Sequence, residues 1–128
     1  MSTTLEVVQQ AYALARRGDH RKLRELIADD ATWLPAREGA WNPCHDGDTI
    51  VRTLLWRSGF ANRFRPGTTI DLGHRVIIQL RGKRMRRLGA RGYWGKLAQI
   101  IEVRNGKIVR IQDYPGLEEA MAAAGQYS

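Results

Sequence analysis

The sequence predicts an α+β fold, in which three N-terminal helices and one early strand precede a mostly antiparallel sheet. Apolar residues recur at helical spacing in the first half of the chain, and longer runs typical of strands follow Pro66-Gly67. Asn105-Gly106 separates two of these runs, and this dipeptide is a strong signal for a two-residue hairpin because both turn residues must accept positive φ. A short final helix completes the predicted order.

Each of the three N-terminal helices has start or stop signals. Thr3-Thr4-Leu5-Glu6 forms a capping box, Gly18 is placed to end the first helix, and Asp19 can cap the second. The second helix is expected to end at Asp29-Asp30, and Asp48 is expected to cap the third. The apolar positions of the helices are, in order, Leu5, Val8, Tyr12 and Ala15; Leu23, Leu26 and Ile27; Ile50, Val51, Leu54 and Leu55; and Leu117, Ala120, Met121 and Ala124.

The strands are predicted from apolar runs between turn residues. They span about Ala31 to Leu34, Thr68 to Leu72, Arg75 to Arg81, Tyr93 to Arg104 and Lys107 to Tyr114. Residues 35–47 are expected to form a loop. Because neither a repeat nor a linker interrupts the chain, we predict one domain over residues 1–128. The resulting shape is a sheet packed against three N-terminal helices, with a short C-terminal helix.

Composition narrows the class of protein. The chain has 128 residues, 43% of them hydrophobic, which is enough for one domain with a real core. A secretory signal is not recognisable at the N-terminus, and no apolar segment has the length that spans a membrane. Cys44 is the single cysteine, so an intrachain disulfide is impossible. We therefore expect a cytoplasmic protein that has no membrane partner.

The formal charge of +8 is concentrated in one segment. This basic cluster consists of Arg81, Lys83, Arg84, Arg86, Arg87 and Arg91. It is compatible with binding to nucleic acid or to an acidic partner, or with a solvated hairpin tip. We favour the solvated tip and expect no nucleic-acid partner, because no nucleic-acid motif accompanies the cluster.

The predicted hairpin also assigns side chains to faces. A two-residue loop pairs Arg104 with Lys107, and an unbroken ladder then pairs Ile100 with Ile111 and Ala98 with Asp113. One face would carry Ala98, Ile100, Glu102, Val109, Ile111 and Asp113, and the other would carry Leu97, Gln99, Ile101, Val103, Ile108, Arg110, Gln112 and Tyr114. Both faces are partly apolar, so we expect the helices to cover one and a second subunit, in a homodimer, to cover the other.

Asp113 is the main candidate for chemistry. If its face is covered, lost solvation would raise the pKa of its carboxyl toward the range useful for proton transfer, and the small side chain of Ala98 opposite would leave room for a ligand. The structural alternatives are that Asp113 caps the last helix or pairs with Lys96 or an arginine.

Three stretches of the chain resemble the nuclear transport factor two-like superfamily, and its SnoaL-like branch most of all. They are residues 12–19, the leucine-rich run through Asp29-Asp30-Ala31-Thr32-Trp33, and residues 104–114. The resemblance covers about residues 5–124. It implies a cone, in which a strongly bent sheet wraps the helices around an apolar cavity, and it implies dimers that pair sheet to sheet. It does not decide between isomerases, cyclases, dehydratases, hydrolases and non-catalytic domains.

The resemblance restricts the catalytic residues. Ketosteroid isomerase relatives have a general-base aspartate where this chain has Leu34-Pro35, a tyrosine at the position of Ala11, and a second acid near Ala98-Gln99. None of these positions holds the required group, so steroid-type isomerisation is not expected. Polyketide cyclase relatives use one cavity carboxylate as acid and base, and Asp113 could take that role.

Other candidate chemistry is weaker. Cys44-His45-Asp46 contains metal-ligating residue types, but neighbours in sequence rarely converge on one ion, so we predict a loop turn and no metal. His45 could serve as a proton partner at the cavity mouth. Trp33 is expected in the core, and Trp41 in a loop that could cover a pocket. Phosphate-binding, dinucleotide-binding and nucleophile-elbow motifs are absent from the sequence, so no cofactor is predicted.

These observations lead to one main hypothesis and two alternatives. We expect a domain that binds a small hydrophobic molecule and acts on it by acid–base chemistry. Asp113 and His45 are the candidate catalytic residues, and the cavity is expected to be lined by Tyr12, Trp33, Trp41, Ala98, Ile100 and Ile111. The first alternative is a non-catalytic dimeric interaction or ligand-binding domain that uses the basic cluster, and the second is direct nucleic-acid binding.

Overall fold

Helices and strands follow one another in the computed structural model in the order that the sequence predicts. The structure describes residues 3–36, 38–39, 42–58, 65–81 and 96–125. The elements are α1 (Thr4–Arg17), α2 (His20–Glu25), β1 (Ile27–Leu34), α3 (Gly47–Ser58), β2 (Arg65–Asp71), β3 (Arg75–Arg81), β4 (Lys96–Arg104), β5 (Lys107–Tyr114) and α4 (Leu117–Ala123). Over the residues that the structure describes, no helix is both long and apolar enough to cross a membrane.

The five strands form one mixed sheet in the order β1-β5-β4-β3-β2. β1 runs parallel to β5, and the other neighbours are antiparallel. The α+β prediction is therefore confirmed. β1 begins at Ile27, four residues before the predicted start at Ala31, and α2 ends at Glu25. Ile27 fits both the helical period of α2 and the two-residue period of β1. Its pairing with Ile108 of β5 makes it part of the strand.

Local capping signals position the helices largely as predicted. The Thr3 hydroxyl accepts from the Glu6 amide, Gly18 ends α1 with a φ of 72°, and the Asp19 carboxylate accepts from the Lys22 amide. The prediction for α3 is wrong by two residues. Asp46, and not Asp48, caps this helix, because its Oδ1 accepts from the Thr49 amide at 2.7 Å.

The hairpin turn is confirmed, and the predicted register is wrong beyond it. Asn105 and Gly106 both have positive φ, of 52° and 75°, and Arg104 pairs with Lys107 as expected. A β-bulge then follows, since Val103 pairs with Ile108 but Glu102 pairs with Arg110. Val109 is the extra residue on β5. A bulge of this kind inverts the alternation of side chains on the strand that carries it.

The shifted register changes the partners of the predicted site residues. Asp113 pairs with Gln99 and Ile111 with Ile101, whereas Ala98 pairs with Tyr114 and Ile100 with Gln112. Ile111 and Asp113 therefore lie on the inner face, toward the helices. Ala98 and Ile100 were predicted to share a face with Asp113, and this is wrong because they lie on the outer face.

Each face of the sheet has an apolar cluster. The inner cluster joins α1, α2 and α3 to the sheet and includes Val8, Trp33, Leu54, Ile101 and Ile111. The outer cluster contains the buried residues Ile77, Ala98, Ile100 and Ala120, so α4 covers the apolar part of the outer face from within the chain. The sequence assigned that role to a second subunit. The homodimer stays a prediction.

Candidate functional site

Asp113 lies fully buried near the end of β5, on the inner face of the sheet. Its Oδ1 accepts two hydrogen bonds, from the Trp33 indole Nε1 at 2.7 Å and from the Gln99 amide Nε2 at 2.9 Å. Two neighbouring strands supply these donors, β1 on one side of β5 and β4 on the other. A buried carboxylate requires such donors, because leaving water without them is strongly unfavourable.

Tyr12 of α1 extends this arrangement into a chain of four side chains. Its hydroxyl donates to Gln99 Oε1, so the Gln99 amide accepts from Tyr12 and donates to Asp113. Tyr12, Trp33, Gln99 and Asp113 are all buried. We call these four residues the inner polar cluster. It connects the first helix to three adjacent strands of the sheet.

The hydrogen bonds of the inner polar cluster define what Asp113 can do chemically. N–H groups only donate, so they favour the ionised carboxylate that accepts from them. The carboxylate is thus held in one orientation by side chains that are themselves buried. This is the arrangement expected of a positioned proton acceptor in an apolar environment.

The fold brings only some of the predicted site residues close to Asp113. Tyr12, Trp33 and Ile111 are buried on the inner side of the sheet with Asp113. His45 is exposed in the segment before α3, and no hydrogen bond within the described ranges connects it to the inner polar cluster. Trp41 lies outside the described residues.

Gln99 is a site residue that the sequence reasoning missed. The unbroken ladder placed it on the face opposite Asp113, although the structure pairs the two residues directly. A signal for it exists in the sequence. Gln99 is the one polar position in the alternating series Leu97, Gln99, Ile101 and Val103, all of which are buried. A lone amide on an otherwise apolar strand face requires a polar partner there.

The segment Cys44-His45-Asp46 is divided between different structural roles. The backbone of Cys44 pairs with that of Trp33, and its buried Sγ lies 3.6 Å from the Thr53 hydroxyl. Asp46 caps α3. Across the described ranges, no three histidine, cysteine, aspartate or glutamate side chains are grouped as metal ligands would be.

Comparison with known proteins gives a family and a fold. The sequence profile of the SnoaL-like domain matches residues 8–111. An NTF2-like protein from Burkholderia thailandensis superposes with a TM-score of 0.65 at 21% identity, and 100% of each chain is covered. An NTF2-like protein of unknown function from Mesorhizobium loti gives a TM-score of 0.66 at 20% identity, with 87% of this chain and 88% of that chain covered.

A third similar structure carries a functional name. It is a proposed polyketide cyclase from Sinorhizobium meliloti, with a TM-score of 0.61 at 17% identity, and the superposition covers 84% of this chain and 93% of that chain. At these identities the structures show a common fold alone. Among curated proteins, no sequence matches significantly.

Proposed function

Because the chain belongs to the SnoaL-like domain family, we propose that it binds a small hydrophobic molecule on the inner side of the sheet and acts on it by acid–base chemistry without a cofactor. The observation that carries this proposal is the fully buried Asp113 carboxylate, which Trp33 and Gln99 hold through two hydrogen bonds. The similarity to a proposed polyketide cyclase agrees with a reaction that needs proton transfer.

Each residue of the inner polar cluster has a role in this proposal. Asp113 takes a proton from the substrate and returns it later in the reaction. Trp33 and Gln99 stabilise its charge and set its orientation, and Tyr12 positions the Gln99 amide. Ile111 contributes to the apolar wall. His45 at the cavity mouth and Trp41 as a cover remain part of the proposal.

The proposal is tested by proton exchange on a small hydrophobic ketone. We expect the protein to accelerate exchange of the α-protons of 1-indanone in D2O, followed by proton NMR, because a general base contributes about 10²-fold or more to such a step. Asp113→Asn should remove the acceleration while the far-ultraviolet circular dichroism spectrum stays unchanged. Asp30→Asn changes an exposed carboxylate of β1 and is the matched control, with exchange expected at the wild-type rate.

A second candidate function is a non-catalytic ligand-binding or interaction domain. It is favoured by the same hydrogen bonds, because a carboxylate that joins β1, β4 and β5 also acts as a structural tie. In that case the folded wild-type protein would not accelerate the exchange, and it would still bind apolar molecules. The basic cluster that this domain would use lies almost wholly outside the described residues.

A homodimer is the remaining part of the proposal. Since α4 covers the apolar part of the outer face, a second copy would have to contact α4 itself. We expect a dimer in sedimentation equilibrium at micromolar concentration, and a monomer under these conditions would contradict it.

A further inference from the structure

A pocket lies on the outer face of the sheet, on the side away from Asp113. Its volume is about 190 Å³. β3, β4 and β5 form its floor, and Ala123 at the end of α4 contributes to its wall. The floor consists of Arg75, Ile100, Glu102, Arg110, Gln112 and Tyr114. We call this the outer pocket.

A row of three charged residues crosses the floor. Glu102 of β4 pairs with Arg75 of β3 on one side and with Arg110 of β5 on the other. Neighbouring positions on one face of a sheet are close enough for their side chains to interact. Arg75 and Arg110 therefore flank Glu102 on the floor of the outer pocket.

The charge in this row is not balanced. The Glu102 carboxylate already forms an ion pair with Arg104, at 2.8 Å. Within the part of the chain that the structure describes, neither Arg75 nor Arg110 forms an ion pair within 4.0 Å. Three arginines thus surround one glutamate, and the outer pocket carries a net positive charge.

Tyr114 lines the outer pocket together with Arg75 and Arg110. Partial burial raises the pKa of its phenol above the ordinary value of 10.0, while the positive charges of Arg110 and Arg75 lower it. An anion beside the phenol ring would therefore be attracted by the positive charges of both arginines. Guanidinium groups bind carboxylates through paired hydrogen bonds, which a compact ammonium cannot form.

The outer pocket also has an apolar part beside its charged residues and the Gln112 amide. Ile100 is 8% exposed, and Ala123 and the ring of Tyr114 lie beside it. A cavity of about 150 Å³ accommodates a molecule the size of benzene. The outer pocket therefore has room for one small ring or branched chain together with a charged group.

We propose that the outer pocket is a binding site for a small organic carboxylate of about the size of benzoate. The carboxylate lies between Arg75 and Arg110, and the apolar body lies against Ile100 and the Tyr114 ring. A bare inorganic anion would leave the apolar wall uncovered, and a neutral molecule would leave the two guanidinium groups without a counter-charge. The site does not involve Asp113, so it is independent of the function proposed for the inner face.

The first test compares three ligands by NMR titration of the full-length, nitrogen-15-labelled protein. Benzoate is expected to bind saturably and to shift the backbone amides of Arg75, Glu102 and Arg110. Benzamide has the same shape without the charge, and inorganic phosphate has charge without the apolar body. Each should bind about tenfold more weakly than benzoate, as expected for the loss of one charged hydrogen bond or of the apolar contact.

The second test uses variants with opposite expected effects. Arg75→Gln and Arg110→Gln should each weaken benzoate binding by about tenfold. Glu102→Gln should tighten it by about two- to fivefold, because it removes a negative charge beside the ligand. Arg21→Gln, at an exposed position on α2, lowers the net charge equally and should leave the dissociation constant unchanged.

Three results would overturn the proposal. In the first, benzoate leaves the amides of the outer pocket unshifted, or shifts the Trp33 indole proton of the inner polar cluster instead. In the second, folded Arg75→Gln and Arg110→Gln variants bind benzoate as wild type does. In the third, phosphate or benzamide binds as tightly as benzoate.

Discussion

The Gln99 side chain shows how one amide can organise a buried site. Its oxygen accepts from the Tyr12 hydroxyl, and its nitrogen donates to Asp113. A glutamate at this position could not donate to Asp113 when ionised, and a leucine could do neither. The orientation of the Asp113 carboxylate therefore depends on a residue that is not itself expected to touch the substrate.

The Tyr12 hydroxyl can be tested by a single-atom deletion. Tyr12→Phe leaves the buried Gln99 oxygen without this donor, so we expect the free energy of unfolding to fall by about 1–3 kcal/mol in urea denaturation. Tyr114→Phe removes the same atom from a half-buried ring, for which no hydrogen bond is seen among the described residues. The Tyr114→Phe substitution should lower the free energy of unfolding by less than about 0.5 kcal/mol. Equal losses in the two variants would contradict the role of Tyr12.

At the scale of elements, the contacts of α2 with β1 and α3 depend on Arg24. Its guanidinium donates to Asp29 at 2.6 Å, to Asp48 at 2.7 Å and to the Ile27 carbonyl at 2.7 Å. Gly47 begins α3 directly beside this group. A Cβ at position 47 would lie 2.7 Å from the Ala28 carbonyl oxygen and 2.8 Å from Arg24 Cζ, so the close approach of α3 to β1 requires glycine.

Gly47→Ala is therefore expected to separate α3 from β1. Since the nearest obstacle is backbone, relief requires a shift of a whole element, and we expect a loss of about 1–3 kcal/mol in the free energy of unfolding. Gly116→Ala is the control, because its Cβ would meet only the flexible end of Glu119, at 2.8 Å. Urea denaturation of both variants measures the difference. A Gly47→Ala variant as stable as wild type would contradict this account of the contact.

The cap of α3 makes stability depend on pH. Hydrogen bonds from the amide and hydroxyl of Thr49 lower the pKa of the Asp46 carboxyl below its ordinary value of 3.8. The unfolded chain therefore binds a proton more readily than the folded chain. The stabilisation is complete above the ordinary pKa and is lost as the pH falls through the folded value.

Asp46→Asn keeps a side-chain oxygen at the cap but removes the titration. We expect the free energy of unfolding of wild type to decrease from about pH 5 toward pH 2, and that of Asp46→Asn to decrease less steeply. Urea denaturation at several pH values measures both slopes. Parallel slopes would show that other groups account for the acid sensitivity.

At the scale of the whole molecule, the sheet is covered on both faces by the same chain. The N-terminal helices cover the inner face, and α4 covers the apolar part of the outer face through Ala120, which is fully buried. This division also separates the two candidate sites. The inner polar cluster lies beneath the helices, and the outer pocket lies beside the end of α4.

Detachment of α4 should expose the outer cluster. Ala120→Asp places a charge among buried apolar residues, so we expect α4 to separate from the sheet. The variant should bind an anilinonaphthalene dye more strongly and sediment faster, because the freed sheet face is apolar. Ala122→Asp introduces the same side chain on the exposed side of α4 and should change neither measurement. If the two variants behave alike, α4 is not what covers this face.

The sequence by itself determined those features that depend on neighbours along the chain. The cap at Thr3, the stop at Gly18 and the turn at Asn105-Gly106 each need only a few consecutive residues, and the structure confirms all three. The limits of β3 and β5 were also predicted, because an apolar run between turn residues is a local signal.

Only the tertiary structure decided which side chains meet. The bulge at Val109 moved Ala98 and Ile100 away from Asp113 and brought Gln99 to it. Pairing with β5 likewise made Ile27 part of β1. Gln99 could have faced either side of the sheet, and Ile27 could have belonged to a helix or to a strand. In each case the pairing with β5, which is distant in sequence, determined the position of the residue. Strand pairing is a long-range contact, and a shift of one residue in it exchanges the two faces of a strand. The local pattern could therefore mark Gln99 as a residue that needs a polar partner, but it could not identify Asp113 as that partner.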